Sequence, residues 1–422
     1  MSDVPVQGLV ADLFRHAYGR LVAVLTRRFG VAALAAAEDC VQDALLQALR
    51  RWPFGGVPRE PEAWLLQVAH RRMLDVVRAA RRRPNVADPE AVLATATANA
   101  DGATAADDVL RLVFLCCHPD LPQDVHVALT LKTVCGFSVD EIARALLARP
   151  TAIAQRLVRG KERLRRPGTS FDLPPERELV ARLDSVLAVV YLTFNEGYAA
   201  NDGDAVVRHD LVREAVRLGE LLLAAPPTAL PKTHALVALM LLQASRLPAR
   251  VDAAGDLTTL AEQDRTLWDA RLIVRGLRHM RASAAGDERT PYHVEAAIAS
   301  VHAVAPSYAA TDWPRILHRY DELVRLADSP LVRLNRAVAV AKVHGVAAGL
   351  AAVAEIAGDA ALERSHLLAA TEGLLRWAGG EHELAVAAFD AALRCRATEP
   401  ERALLLRRRD AARARQPAPG SW

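Results

Sequence analysis

Gln155, Arg159 and Arg163 follow one another at intervals of four residues, with Arg156 beside them, on a stretch where Ile153, Leu157 and Leu164 also recur at helical spacing. One side of such a helix is apolar. The other offers guanidinium and amide donors, the groups that hold phosphates and read base edges in a DNA major groove. Thr151, just after Pro150 at the start of this helix, belongs to the same surface. Upstream, Ser138 can cap a shorter helix by accepting the amide of Glu141, whose carboxylate reaches back to the Ser138 amide. Val139, Ile142, Ala143 and Leu146 give that helix one apolar side. A capped helix, a tight turn at Arg149-Pro150 and a second helix with one-sided arginines read as a helix-turn-helix. An arginine run alone would more simply be a solvated face; the three features together favour DNA.

Two further constellations lie nearer the N-terminus. From Ala37 to Trp52, Val41, Ala44, Leu45, Ala48, Leu49 and Trp52 form a core stripe, and Asp39, Gln42, Asp43, Gln47 and Arg50 fall outside it. Phosphate would repel the Asp39-Gln42-Asp43 face, whereas a basic protein surface would pair with it; the bland alternative is a solvated helix face. A second helix starts at Pro61-Glu62, with proline and a carboxylate in the first turn. Leu65, Val68, Ala69, Arg72 and Val76 share its apolar side, the Arg72 stem covering apolar surface. Gln67, Arg71, Arg78 and Arg82 line the other, a row of donors that can follow a phosphate backbone. Trp64 is either a core residue or an aromatic for stacking an unpaired base.

Catalytic constellations are missing. Glu196, Asp264, Asp312, His344, His366 and His382 offer acids and bases, but no HExxH, P-loop, nucleophile elbow or Gly-rich cofactor loop accompanies them. No enzyme and no cofactor are expected. Cys40, Cys116, Cys117, Cys135 and Cys395 lack CxxC spacing and sit in apolar patterns, as buried thiols of a reducing cytoplasm would. Cys116-Cys117-His118 are adjacent helical positions about 100° apart and do not converge on one metal ion.

The elements that position these residues are helices throughout. The chain has 422 residues, 52% hydrophobic but only 5% aromatic, and lacks runs of alternating Val, Ile and Thr. An all-α, multidomain protein follows. The net charge of +3 is small, so affinity for nucleic acid must come from local clusters of arginine. No stretch of roughly 18 apolar residues or signal-like start is present, so a cytoplasmic protein without a membrane span is expected. Residues 8–83 form a first basic block. Residues 84–106, rich in Ala, Thr, Asn and Asp, read as a flexible linker, and residues 107–167 form the block with the helix-turn-helix. After Pro174-Pro175, residues 176–415 are leucine- and alanine-rich helices, and 416–422 read as an unstructured tail. Gly373, Ala385, Phe389 and Ala392 have tetratricopeptide spacing, with Gly380 at the turn between helices, and a more degenerate unit runs from Leu334 to Ile356. Such units bury their apolar faces by stacking into a superhelix.

Asp39 to Trp52, the Trp64 to Arg83 helix, the linker and the Ser138 to Arg166 helix-turn-helix resemble regions 2 and 4 of bacterial RNA polymerase sigma factors of the extracytoplasmic-function (ECF) group, within the sigma-70 family. The downstream strings Phe194-Asn195-Glu196-Gly197-Tyr198, Glu262-Gln263-Asp264-Arg265, Thr311-Asp312-Trp313 and Leu334-Asn335-Arg336-Ala337-Val338-Ala339 resemble the SigJ-like subgroup, whose members fuse the sigma regions to a tetratricopeptide-like domain. The resemblance implies core RNA polymerase and promoter DNA as partners. Asp39, Gln42 and Asp43 would meet the β′ clamp coiled coil, and region 4 the β flap. Trp64, Gln67, Arg71, Arg78 and Arg82 would capture the minus-10 element, and Thr151, Gln155, Arg156, Arg159 and Arg163 the minus-35 element. His70-Arg71 stand where the family commonly has Arg-Asn, which shifts that position from base reading toward phosphate holding. His293 and Glu295 replace usual glutamines. The fused domain is expected to regulate the sigma regions, so that a separate anti-sigma protein is not required. A second reading is a one-component regulator in which the C-terminal domain binds a small ligand and the helix-turn-helix binds an operator without polymerase.

Overall fold

The computed structural model describes residues 6–81, 105–146, 148–198, 208–252, 255–359, 362 and 365–418. Its described residues form helices and no strands, with isolated bridges only at Val251–Leu257 and Ser365–Arg396. The all-α expectation holds. Arg82 and residues 84–104 of the expected linker lie outside the described residues. No described helix is long and apolar enough to cross a membrane.

The chain divides into two compact units, residues 1–193 and 194–422, and the division falls within one helix, Glu176–Tyr198 (α8). The first unit is built on α1 (Val6–Phe29), α2 (Leu34–Gly55) and α3 (Pro61–Arg81), followed by α4 (Ala105–Cys116), α5 (Gln123–Leu129), α6 (Val139–Ala145) and α7 (Pro150–Leu164). Tyr18, Leu25 and Phe29 of α1 pack with Val41, Leu45 and Trp52 of α2 and with a stripe of α3. That stripe is Leu65, Ala69, Met73 and Val77, recurring every four residues. The α3 face expected from the sequence is therefore rotated: Val76 is 40% exposed, and the Arg72 side chain is 55% exposed and paired with Asp43 instead of covering the core. α4 packs on α1, and a π-turn at Thr130–Val134 prolongs α5 and touches α1, α4 and α6. Gly19 of α1 lies flush on this turn, where a Cβ would sit 2.1 Å from the Val134 carbonyl oxygen.

The second unit continues with α9 (His209–Ala224), α10 (Pro231–Ala244), α11 (Ala270–Ser283), α12 (Pro291–Val304), α13 (Trp313–Leu326) and α14 (Pro330–His344). It ends in α15 (Val346–Ala354), α16 (His366–Ala378), α17 (His382–Arg394) and α18 (Glu399–Arg413). From α9 onward each helix packs on the next, and the apolar clusters are shared in sequence along the chain: Val294, Ile316 and Val340 join α12 to α14, Leu334, Val353 and Leu375 join α14 to α16, and Trp377, Phe389 and Leu405 join α16 to α18. Such neighbour-to-neighbour burial is how stacked helical arrays hold together. Gly373 sits against the Phe389 ring, where a Cβ would come within 2.9 Å, and Gly380 turns the chain between α16 and α17 at φ 79°. Residues 416–418, placed by composition in an unstructured tail, are fastened: Trp377 Nε1 donates to the Gln416 carbonyl at 2.8 Å and Ala418 packs on the last cluster.

Candidate nucleic-acid interface

The helix-turn-helix rests on local bonds that the sequence announces. Ser138 Oγ accepts the Glu141 amide at 3.2 Å and the Glu141 carboxylate accepts the Ser138 amide at 2.7 Å, fixing the start of α6. Arg149 is extended and Pro150 opens α7, whose Ile153, Leu157 and Leu164 are buried. Gly160 belongs to that buried side too, because a Cβ there would meet Leu129 at 2.5 Å and Val125 at 2.7 Å. The opposite side presents Thr151, Gln155, Arg159 and Arg163 to solvent. Arg156 is less free than its position suggests: its Nε is 3.0 Å from Asp124, and the side chain keeps 34% of its surface. Arg163 donates to the Asp120 carbonyl at 2.9 Å, and Arg159 to the Gln155 amide oxygen at 3.4 Å. Asp124, Arg156, Arg159 and Arg163 border one open depression. Exposed guanidinium groups here can exchange weak protein partners for phosphate or guanine acceptors.

Trp64 settles between its two readings. Its ring meets buried Trp52 edge to face at 5.5 Å, yet it stays half-buried and lines an open depression with Arg28, Arg59, Gln67 and His70. One face is core and the other accessible. Gln67, Arg71 and Arg78 are exposed, Arg78 lying 3.6 Å from Asp75. His70 stacks tilted on Phe29 at 5.4 Å, and burial with the nearby Arg28 charge lowers its pKa, so it is neutral near pH 7.

Asp39 is exposed, with its pKa raised by partial burial and by the neighbouring Glu38 carboxylate. Gln42 is half-buried and the Asp43 side chain is 46% exposed. Arg72 neutralises part of this face from α3.

What sequence reasoning missed is the carboxylate at the centre. Glu38, 3% exposed, accepts Thr133 Oγ1 at 2.6 Å and the Lys161 ammonium, joining α2 of the first block to the π-turn and to α7 of the second. Asp108, 1% exposed, is held between Arg27 at 3.3 Å and Arg111 at 2.9 Å. The two basic blocks, read from composition as separately tethered, are thus packed together in one unit. A charged residue one turn before Val41 in an apolar stripe was the available signal. The thiols take no part: Cys116 and Cys117 are buried, and desolvation pushes the Cys117 thiol up to about 12.

Residues 13–83 match sigma-70 region 2, residues 111–164 match sigma-70 region 4, and residues 182–284 match a family of unknown function, DUF6596. An uncharacterized protein of Rhizobium meliloti (strain 1021) is 42% identical over 324 residues, which cover 75% of this chain and 76% of that protein. No solved structure matches the chain.

Proposed function

We propose that this chain, which carries ECF-type sigma-70 regions 2 and 4 followed by a DUF6596 domain, is a sigma-70-type transcription initiation factor that binds core RNA polymerase in the cytoplasm and selects and melts promoters under control of its C-terminal unit. The observation that carries this reading is the exposed row Thr151, Gln155, Arg159 and Arg163 on the second helix of a capped helix-turn-helix. α7 enters the major groove of the minus-35 element, where Gln155 and Arg159 reach base edges and Arg156 and Arg163 hold phosphates once they leave Asp124 and the Asp120 carbonyl. The half-open Trp64 ring, with Gln67, Arg71 and Arg78 along α3 and Arg82 following in the sequence, captures the minus-10 element. Stacking one unpaired base on an aromatic contributes about 1–3 kcal/mol toward opening the duplex. Asp39, Gln42 and Asp43 dock on the β′ clamp coiled coil and region 4 on the β flap. No bond is made or broken by the factor itself.

Residues 176–415 act as a tetratricopeptide-like regulator of the SigJ-like kind, in place of an obligatory anti-sigma partner. The serial clusters of α12 to α18 and the seating of Gly373, Ala385, Phe389 and Ala392 between α16 and α17 support that assignment. Run-off transcription with purified core polymerase on a library of promoter fragments tests the whole reading. Transcripts that require both core and this chain are expected. Operator binding by the isolated chain, with no transcript on adding core, would instead establish the one-component regulator.

A further inference from the structure

Several half-buried arginines of the second unit are paired, Arg217 with Glu214, Arg336 with Asp321, and Arg376 with Glu372 and Glu381, and most of those without an ion pair are exposed. One group of half-buried arginines is different. Arg246, Arg250, Arg265 and Arg408 are each half-buried, and among the described residues none has a carboxylate within ion-pair distance. Four guanidinium groups held without counter-charge in a partly desolvated place are costly, and buried charges are ordinarily paired.

These groups converge on one place. Arg246 donates to Tyr198 Oη at 2.8 Å, and Arg250 lies over the same ring, 4.3 Å from its centroid. Arg265 stacks on Trp268 at 4.4 Å while one of its nitrogens donates to the carbonyls of His302 and Ala305. Lys342 lies over both Tyr308 and Trp313, at 5.0 and 5.6 Å. Arg408 comes from α18, its charge felt at Tyr308, and its neighbour Arg407 secures the nearby loop through Asp256 and the Leu257 carbonyl. His302 adds no charge, since burial and then Arg246 and Arg265 lower it to about 3. Of the acids nearby, Asp256 is taken by Arg407 and Asp264 accepts from Thr266, while exposed Glu262 lies on the Arg408 side and Glu295 beside Tyr320.

Aromatic faces hold the cations from one side and leave their N–H edges to bond elsewhere. Five inner donors find no acceptor among the described residues: Arg246 Nε, Arg250 Nε, Arg265 Nη2, Arg408 Nε and Trp268 Nε1. Native proteins leave few such groups unbonded, and a cluster of them on four arginines without a carboxylate partner calls for an acceptor from outside. We propose that Arg246, Arg250, Arg265, Lys342 and Arg408 form a recessed binding site for a small multivalent oxyanion, a phosphate ester or a polycarboxylate. The ligand is small because the cations come from separate segments of the chain and converge, whereas nucleic acid is met by cations strung along a surface. It ties α18, the last helix, to the loops flanking α10 to α13. All of its residues belong to the second unit, and it can be tested without polymerase.

Isothermal titration of the full chain with inorganic pyrophosphate, and separately with citrate, is the test. Saturable binding of at least one is expected, weakened at least tenfold by Arg408→Gln and by Lys342→Met but unchanged by Arg325→Gln, an exposed arginine of α13. Lys342→Met keeps the stem over the two rings, and the unfolding midpoints of the variants without anion confirm that they fold. Preference between the two anions separates phosphate from carboxylate sources. Three outcomes overturn the proposal: no saturable binding of either anion, equal weakening by Arg325→Gln, or single-stranded DNA displacing both anions at lower concentration.

Discussion

At the scale of single residues, affinity for DNA depends on which guanidinium groups are spoken for. Arg159→Ala should weaken binding of holoenzyme to promoter DNA by about 1–3 kcal/mol, measured by fluorescence anisotropy at fixed salt. Asp124→Asn should do the reverse. It frees Arg156 and removes a negative charge from the border of the depression, so affinity should rise roughly twofold to fivefold, in line with an exposed ion pair. Unchanged affinity in both variants would take α7 out of the interface. Asp43→Arg should cut affinity for core polymerase at least tenfold in a pull-down titration while the helix-turn-helix stays folded, since it sets a cation beside Arg72 on the face proposed to be acidic. Some of these residues were legible. The Ser138–Glu141 box and the arginine row follow from neighbours a turn apart. The face of α3 did not, because Val68, Arg72 and Val76 satisfy helical spacing as well as Leu65, Ala69, Met73 and Val77 do, and only the docking of α1 and α2 chooses between the two stripes.

Among the elements, the joint between the blocks is the most sensitive. Lys161→Met strands the Glu38 carboxylate, 3% exposed, with one remaining partner, and should destabilise the first unit by about 3 kcal/mol in denaturant unfolding. Gly19→Ala drives a methyl into the Val134 carbonyl, where backbone must yield; the overlap should cost about 1–3 kcal/mol, outweighing the roughly 1 kcal/mol that alanine gains over glycine in a helix. Sequence patterns gave the helices and their turns, but not this joint. Thr133 and Lys161 lie 95 and 123 residues from Glu38, beyond any periodicity. The cationic cluster of the second unit was illegible for the same reason, its members ranging from Tyr198 to Arg408, whereas the Gly373, Ala385, Phe389 and Ala392 pattern was readable because both helices of that hairpin are contiguous.

For the molecule as a whole, a factor that grips two promoter elements at once has to present both basic helices to one duplex, and in the first unit the two blocks are held together by largely buried charges. Lys161, whose side chain is 17% exposed, should react slowly with an amine-modifying reagent in the free chain and several-fold faster once polymerase and promoter are bound, as mass spectrometry of digests would record. Equal rates would mean that the blocks stay packed during initiation. Truncation after Pro175 should change transcript yield at a fixed promoter, and unchanged yield would remove the regulatory role of the extension.

Glu38 also limits how freely this protein can be recombined. Grafting residues 107–167 onto a first block with an apolar residue in that position would leave the Lys161 ammonium stranded, and the reciprocal chimera would orphan the carboxylate. Domain-swapped hybrids meant to retarget promoter choice should therefore succeed only when Glu38, Thr133 and Lys161 travel as a matched set.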